Sequence, residues 1–135
     1  MTVVQLTTHQ RQELIDITRQ VQAAVTASGV QDGIVVVFSP HTTGGIMVNE
    51  NWDPDVGKDF LAFLGQRVPH NFPDFRHGEG NSDSHILVSL VGSQVSLIIQ
   101  EGHVMLGQWQ GIYFCEFDGP RERACWVQVV PVSHV

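Results

Sequence analysis

Residues 86–132 read ILVSLVGSQVSLIIQEGHVMLGQWQGIYFCEFDGPRERACWVQVVPV and carry most of the strand signals of the chain. Short runs rich in valine, isoleucine and aromatic residues alternate here with glycine and proline, as in β-strands that are joined by turns. The pattern predicts five strands, over Ile86–Leu90, Gln94–Ile99, Val104–Leu106, Trp109–Phe117 and Ala124–Val132. Turn residues separate these runs, so we expect an antiparallel arrangement.

Upstream of this stretch, the spacing of apolar residues changes to that of helices. After a short strand at Thr2–Leu6, an amphipathic pattern runs from Thr7, a candidate helix cap, to Gly29, and predicts a first helix. Asp53-Pro54 predicts the start of a second helix that ends near Val68. The buried stripe of this second helix is expected at Val56, Phe60, Phe63 and Leu64.

Two further strands are predicted between the helices. Gly33–Phe38 and Gly45–Val48 are short and rich in aliphatic residues, and Ser39-Pro40 separates them, so we expect adjacent strands. Helices early and strands late indicate an α+β fold rather than alternating βαβ units. The chain has 135 residues, 42% of them apolar, which suits a single domain over residues 1–135.

Composition and charge exclude several classes of partner. The chain has 14 acidic and 7 basic side chains, and a net charge of −7 repels a nucleic-acid backbone. No apolar run approaches the roughly 20 residues of a membrane span, and the N-terminus lacks the order of a secretory signal. We therefore expect a cytoplasmic protein that binds neither nucleic acid nor membranes. Cys115 and Cys125 lie in apolar segments and are predicted to be buried in the core.

Histidines and carboxylates are concentrated in the loop predicted over Pro69–Ser84. The segment His77-Gly-Glu79-Gly-Asn81-Ser-Asp83-Ser-His85 places two imidazoles and two carboxylates within nine residues. Such a loop can wrap a divalent metal ion. An equally good interpretation from spacing alone is a solvated loop in which Asn81 and Asp83 form turns, since no regular zinc pattern is present.

Two other turns carry groups that can bind an anion. Ser39–Gly45 is rich in hydroxyl groups and glycine, and backbone amides in such a turn can cradle a phosphate. Asp118-Gly119-Pro120 is followed by Arg121 and Arg123, whose guanidinium groups suit phosphate or carboxylate. An ordinary strand connection and a surface ion pair explain these two features as well.

Taken in order, these motifs resemble the YjbQ family, and the match runs from about Val36 to Val129. The motifs are His41-Thr42-Thr43, Asn49-Glu50, Asp53-Pro54-Asp55, His77, Asn81-x-Asp83-x-His85, Gly92, Gly102, Leu106-Gly107-x-Trp109-Gln110 and Asp118-Gly119-Pro120-Arg121-x-Arg123. Two positions depart from the common pattern, Gln108 in place of threonine and Gly44 in place of alanine. Neither of them is a candidate ligand.

The resemblance implies a fold, an assembly and a reaction. The fold is a β-sandwich of mainly antiparallel strands with two packed helices, and the assembly is a homotrimer with a histidine-lined pocket near each subunit boundary. Members are usually described as secondary thiamine-phosphate synthases, which join a thiazole phosphate alcohol to an aminopyrimidine pyrophosphate. The resemblance therefore implies a transferase that acts on a small phosphorylated metabolite.

The resemblance also gives roles to particular residues of this chain. His41, His77 and His85 match recurrent family histidines and are candidate ligands for a divalent metal, zinc or magnesium. Glu50 is the candidate general base for the alcohol, with His41 and His85 as further catalytic candidates. Candidate phosphate-binding residues are Thr42, Thr43, Arg121 and Arg123.

Two alternatives to the synthase stay open at the level of sequence. A metal-dependent hydrolase would use a metal-bound water as nucleophile against a phosphorylated metabolite. A non-catalytic module would hold a metal ion or a phosphorylated metabolite with the same donors, without a group positioned for proton transfer.

Overall fold

The computed structural model describes residues 1–133, which form eight strands and three helices. The strands are β1 (Thr2–Thr7), β2 (Glu13–Asp16), β3 (Gly33–Phe38), β4 (Gly44–Glu50), β5 (Gln94–Gln100), β6 (His103–Val104), β7 (Gln110–Glu116) and β8 (Glu122–Pro131). The helices are α1 (Thr18–Ser28), α2 (Pro54–Arg67) and α3 (Ser82–Val91). None of these helices is both long and apolar enough to span a bilayer.

The strands form two antiparallel sheets that enclose the core. One sheet has the order β1-β8-β3-β5-β6 and the other the order β2-β7-β4. Alternate residues of β3, such as Val35 and Val37, face Ile112 and Phe114 of β7 in a cluster that also includes Val25 of α1. The predicted α+β fold with a sandwich of antiparallel strands is therefore confirmed.

The first helix is shorter than the sequence predicts. Residues Glu13–Asp16 form β2, because their backbone groups pair with β7 at the edge of the small sheet. Helix α1 begins at Thr18, whose amide and hydroxyl both donate to the carboxylate of Asp16, at 2.9 and 2.6 Å. The helix ends at Gly29, whose φ of 72° is left-handed, as predicted.

β3 and β4 are not neighbours, so that prediction is wrong. β3 lies between β8 and β5 in the large sheet, whereas β4 pairs with β7 in the small one. The chain crosses between the sheets at Ser39, whose amide donates to Ser93 and whose hydroxyl donates to Gly44. A Cβ atom at Gly44 would lie 2.5 Å from the ring of Phe114, so a larger residue there would require this ring to shift.

The segment Ile86–Leu90 is helical, and its predicted strand is wrong. It belongs to α3, a third helix that the sequence did not predict. The buried residues of α3 fall at Asp83, Ser84, Leu87 and Val88, which is helical spacing. A short apolar run of this kind is compatible with either structure.

Helix α2 agrees with its predicted bounds but packs only lightly. Asp53 caps it by accepting a hydrogen bond from the amide of Asp55, and Val68 follows its last residue. Phe63, which was expected in the buried stripe, is 57% exposed, while Leu61 and Leu64 pack against a small second core cluster. Both cysteines are buried, as predicted.

Candidate functional site

Three segments meet around the N-terminus of α3. They are the loop at 69–81, the first turn of α3, and the turn between β7 and β8. The loop closes on itself through His70, whose Nε2 lies 2.8 Å from the carbonyl oxygen of Gly80. Helix α3 then begins directly after Asn81.

The structure brings His77 and His85 into direct contact. Their rings meet edge to face, with centroids 5.2 Å apart and planes 86° apart. His77 is exposed, and its Nε2 lies 3.8 Å from a carboxylate oxygen of Glu79. His85 lies in the first turn of α3 and is half-buried.

An open pocket of about 440 Å³ lies beside this histidine pair. Its lining is largely apolar, with an aromatic ring and an isoleucine, and it also includes an arginine. The lining residues are Asp74, Phe75, Arg76, His77, Ser82, His85 and Ile86. A pocket of this size with a few polar groups suits a small ligand that has a flat, apolar part.

Buried hydrogen bonds hold the N-terminus of α3 in place. Arg11 makes a bidentate pair with Asp83, at 2.9 and 3.0 Å, and the Asp83 side chain is only 1% exposed. The hydroxyl of Ser84 donates to the carbonyl of Phe117 at 2.6 Å. These contacts tie the helix to the residue after β7 and to the segment before β2, and so fix the position of His85.

Asn81 joins α3 to the turn at 118–123. Its Nδ2 donates to the Asp118 carboxylate at 2.7 Å. Arg121 donates to the same carboxylate at 3.0 Å and to the carbonyl of Asp118 at 2.9 Å. Half of the Arg121 side chain remains exposed, so its guanidinium can bind a further anion.

Arg123 has a different environment from Arg121. It is buried against Glu116 and also donates to the hydroxyl of Thr43 at 2.8 Å. Glu116 also accepts a hydrogen bond from the hydroxyl of Thr8 at 2.7 Å. This buried network uses the groups with which Thr43 and Arg123 were predicted to bind phosphate, so we assign both to the core.

The other phosphate-binding candidates stay predictions. Thr42 is exposed in the crossing between β3 and β4, and Arg121 is half-exposed in the turn. Both are therefore accessible to a ligand.

His41 does not join the pair of His77 and His85 in the described chain. Its ring packs edge-on against Phe114, with centroids 6.1 Å apart, and its Nε2 lies 3.0 Å from both the amide nitrogen and the carbonyl oxygen of Ala124. Burial lowers the pKa of His41, and the positive charge of Arg123 lowers it further. The ring is therefore neutral at pH 7.

Glu50 is remote from His41. His41 precedes the first residue of β4 by three positions, whereas Glu50 is the last residue of that strand. Seven extended residues separate the two ends by about 20 Å. Glu50 instead accepts a hydrogen bond through its carbonyl oxygen from the hydroxyl of Tyr113, at 3.1 Å.

A second pocket, of about 500 Å³, lies near Glu50 between β2 and α2. Asp16, Trp52 and Tyr113 contribute to its wall. Burial alone would raise the pKa of Asp16, but hydrogen bonds from Thr18 and Asn51 outweigh it and lower that pKa. Trp52 is 75% exposed and meets Trp109 edge to face, so neither tryptophan belongs to the subunit core.

The donors of the described residues do not fit a closed metal site. Within residues 1–133, no group of three or more His, Cys, Asp or Glu side chains is placed to hold a metal ion. The predicted set of His41, His77 and His85 is reduced here to two imidazoles, which is fewer than the three protein ligands of a catalytic zinc. The metal roles of these histidines stay predictions.

The sequence did not identify every residue that shapes this site. Arg11 positions α3 through Asp83, and Phe75 and Ile86 form walls of the pocket. Arg11 and Asp83 are 72 positions apart, so no local pattern connects them. Aromatic residues in the loop were the available signal for Phe75.

Comparisons with known proteins agree on one family. The profile described as "UPF0047 protein YjbQ-like" matches residues 2–132. The UPF0047 protein MJ1081 of Methanocaldococcus jannaschii is 50% identical over 93% of this chain and 91% of its own length. The UPF0047 protein YugU of Bacillus subtilis is 46% identical over 94% of this chain and 96% of its own length.

Solved structures extend this similarity to the fold. A YjbQ/UPF0047 family protein from Clostridium acetobutylicum superposes with a TM-score of 0.94 at 50% identity, covering 96% of this chain and all of its own. The protein TT1486 from Thermus thermophilus gives a TM-score of 0.90 at 38% identity, with 96% of this chain and 100% of its own covered. The names of these four proteins state no activity.

Proposed function

Because this chain belongs to the YjbQ-like UPF0047 family, we propose that it is a transferase of the thiamine-phosphate synthase type that acts on a small phosphorylated metabolite. The observation that carries the proposal is the contact between His77 and His85 at the edge of an open pocket. The pocket combines apolar lining residues with a few polar groups, as a heteroaromatic phosphate ester requires.

The charged groups around the pocket support binding of phosphate. Arg76 lies in its lining and Arg121 keeps half of its side chain exposed. The N-terminus of α3 adds a favourable dipole for an anion near His85. In a chain with a net charge of −7, these cations stand out as places where a phosphate is attracted.

The bond chemistry of a thiamine phosphate determines what the residues must do. The thiazole nitrogen forms a bond to the methylene carbon of the aminopyrimidine, and the carbon–oxygen bond to pyrophosphate breaks with its electron pair on pyrophosphate. No proton is removed from the attacking nitrogen in this step. The demand is therefore for cations and hydrogen-bond donors that stabilise the departing pyrophosphate, rather than for a base such as Glu50.

We assign no step of this reaction to the predicted zinc or magnesium ion, because two imidazoles of one subunit are too few to define its site. In the assembled protein, donors of another subunit would have to complete it. Elemental analysis of the purified protein checks this directly. If the parent held about one ion per subunit and the His85→Ala variant held none, the ion would have a role in the reaction.

The predicted homotrimer is part of the proposal, and one face of the large sheet supports it. Two rows of exposed apolar side chains cross that face. One row is Val3, Trp126 and Phe38, and the other is Val130, Ile34 and Ile98, with each neighbour in register. Exposed apolar rows of this kind favour association, here with other copies of the chain.

The trimer is tested by placing a charge on that face. Light scattering should give three times the 15.0 kDa of the chain for the parent protein and a smaller mass for Ile98→Glu. Phe63→Glu, at an equally exposed apolar residue of α2, is the matched control and should remain trimeric. A monomeric parent would disprove the assembly.

The reaction is tested by incubating the protein with the thiazole phosphate and the aminopyrimidine pyrophosphate, and by following both products with mass spectrometry. We expect thiamine phosphate and pyrophosphate in equal amounts, strongly reduced in His77→Ala and His85→Ala. His103→Ala, an exposed histidine on β6, is the control and should behave as the parent. Release of inorganic phosphate without coupling would favour the hydrolase, and binding without turnover the binding module.

A further inference from the structure

His41 occupies a place where a neighbouring strand would otherwise be. β8 pairs with β3 only up to the partners Trp126 and Phe38, and Ala124 lies two residues beyond that end. On its other side, Ala124 faces Gln5 of β1. The imidazole of His41 contacts the amide and the carbonyl of Ala124 on the side that β3 has left.

The position of the proton on His41 follows from this contact. Nε2 lies 3.0 Å from both polar atoms of Ala124, but a neutral ring nitrogen either accepts or donates, and cannot do both. If Nε2 donated to the carbonyl, the amide of Ala124 would face an N–H group and lose its partner. Unpaired buried amides are rarer than carbonyls with spare capacity. Nε2 therefore accepts, and the proton of the neutral ring lies on Nδ1.

The surroundings keep the ring in this neutral form. The amide of Ala124 donates to Nε2 and so uses the lone pair that a proton would need. Burial lowers the pKa of His41 as well, and the charges of Arg123 and Arg121 lower it further. The carbonyl oxygen of Ala124 and the charge of Glu116 act in the opposite direction without reversing the effect. Nδ1 makes no hydrogen bond within residues 1–133, so its N–H group is available to a ligand.

We infer that His41 is a hydrogen-bond donor, whose neutral imidazole presents Nδ1–H to an anionic oxygen of the phosphorylated ligand beside Arg121. In this state its one lone pair, on Nε2, is used by the amide of Ala124 and is not free to bind a metal ion or to act as a base. The inference rests on the proposed function for the identity of the ligand, but the position of the proton can be measured without any substrate.

The first test is nitrogen-15 NMR of histidine-labelled protein at neutral pH. The two ring nitrogens of each imidazole differ in chemical shift according to which one carries the proton. We expect Nδ1–H for His41, assigned through the signals that His41→Gln lacks. The opposite tautomer, with Nε2–H donating to Ala124, would overturn the inference and leave Nδ1 free for a metal ion.

The second test uses two isosteric variants and inorganic pyrophosphate as the probe. His41→Gln keeps an acceptor at the position of Nε2 but removes the donor at Nδ1, whereas His41→Asn keeps a donor near Nδ1. Calorimetry should show pyrophosphate binding at least about tenfold weaker in the glutamine variant, the size of one hydrogen bond to a charged group. The asparagine variant should stay closer to the parent. Equal binding by the parent and the glutamine variant would overturn the inference.

These outcomes separate the inference from the proposed function. Loss of turnover in His77→Ala and His85→Ala, together with an Nε2–H tautomer, would leave the enzyme proposal standing and remove the role of His41. An Nδ1–H tautomer with tight pyrophosphate binding, but without thiamine phosphate formation, would give the reverse result.

Discussion

Arg121 and Arg123 are two residues apart in the same motif, but they serve opposite purposes. Arg123 has only 3% of its side chain exposed and is enclosed with Glu116, whereas half of the Arg121 side chain faces solvent beside Asp118. Positions i and i+2 of a regular strand would share a face, but Arg121 lies in the turn before β8 begins. The start of the strand therefore decides which guanidinium is structural and which is available to a ligand.

Removing the buried arginine should give the largest effect. Arg123→Met leaves the carboxylate of Glu116 buried without its cation, which typically costs about 3–5 kcal/mol of unfolding free energy. Urea denaturation followed by circular dichroism measures this loss. If Arg123→Met unfolded no more readily than Arg121→Met, Arg123 would not be the structural arginine of the pair.

A double variant sharpens the same point. Glu116→Leu combined with Arg123→Met removes both charges, so it should be more stable than Arg123→Met alone even though it carries more changes. A double variant that is less stable than the single one would show that the hydrogen bonds from Thr8 and Asp118 to Glu116 outweigh the cost of its unpaired charge.

Replacing the exposed arginine should affect ligand binding more than stability. Arg121→Met should change the unfolding free energy by only about 0–1 kcal/mol, as expected for a solvent-screened pair. Its affinity for pyrophosphate should fall about tenfold, the loss of one charge-assisted contact. Calorimetry at low and high salt checks this, since the difference between parent and variant should shrink as salt screens the charge.

The smallest effect should be the contribution of His41 to stability in acid. Its pKa is lower in the folded protein than the usual value of 6.5, so the unfolded chain takes up more protons as the pH falls below that value. The fold therefore loses stability in this window and keeps it at pH 7. In His41→Gln this part of the loss should disappear, so the denaturation midpoint should depend less on pH than in the parent.

The sequence predicted the antiparallel strands well and the helices less well. Valine-rich β3 and the alternating β8 have one dominant period, because each packs one face on the core. The apolar residues of α3 are too few to distinguish a helix from a strand. The predicted first helix included the residues of β2, because Leu14 and Ile15 fit either structure. Only their pairing with β7 makes them a strand.

The sequence predicted residues of the candidate site, but not which of them lie together. His77 and His85 were expected together and lie in contact, because only seven residues separate them along a folded-back loop. The environment of His41 depends on Ala124, which is 83 positions away. The division between the two arginines likewise depends on Glu116 and Thr43, and no local pattern of the turn contains that information.

The two buried thiols can be used to measure how often the folded structure opens. Burial raises the pKa of Cys115 to about 12 and that of Cys125 to about 11, so neither forms the reactive thiolate in the folded state. A thiol-labelling reagent therefore modifies them only when the sandwich comes apart. The rate of modification under native conditions counts opening events, and mass spectrometry of partly labelled samples distinguishes opening around β7 from opening around β8 without an engineered probe.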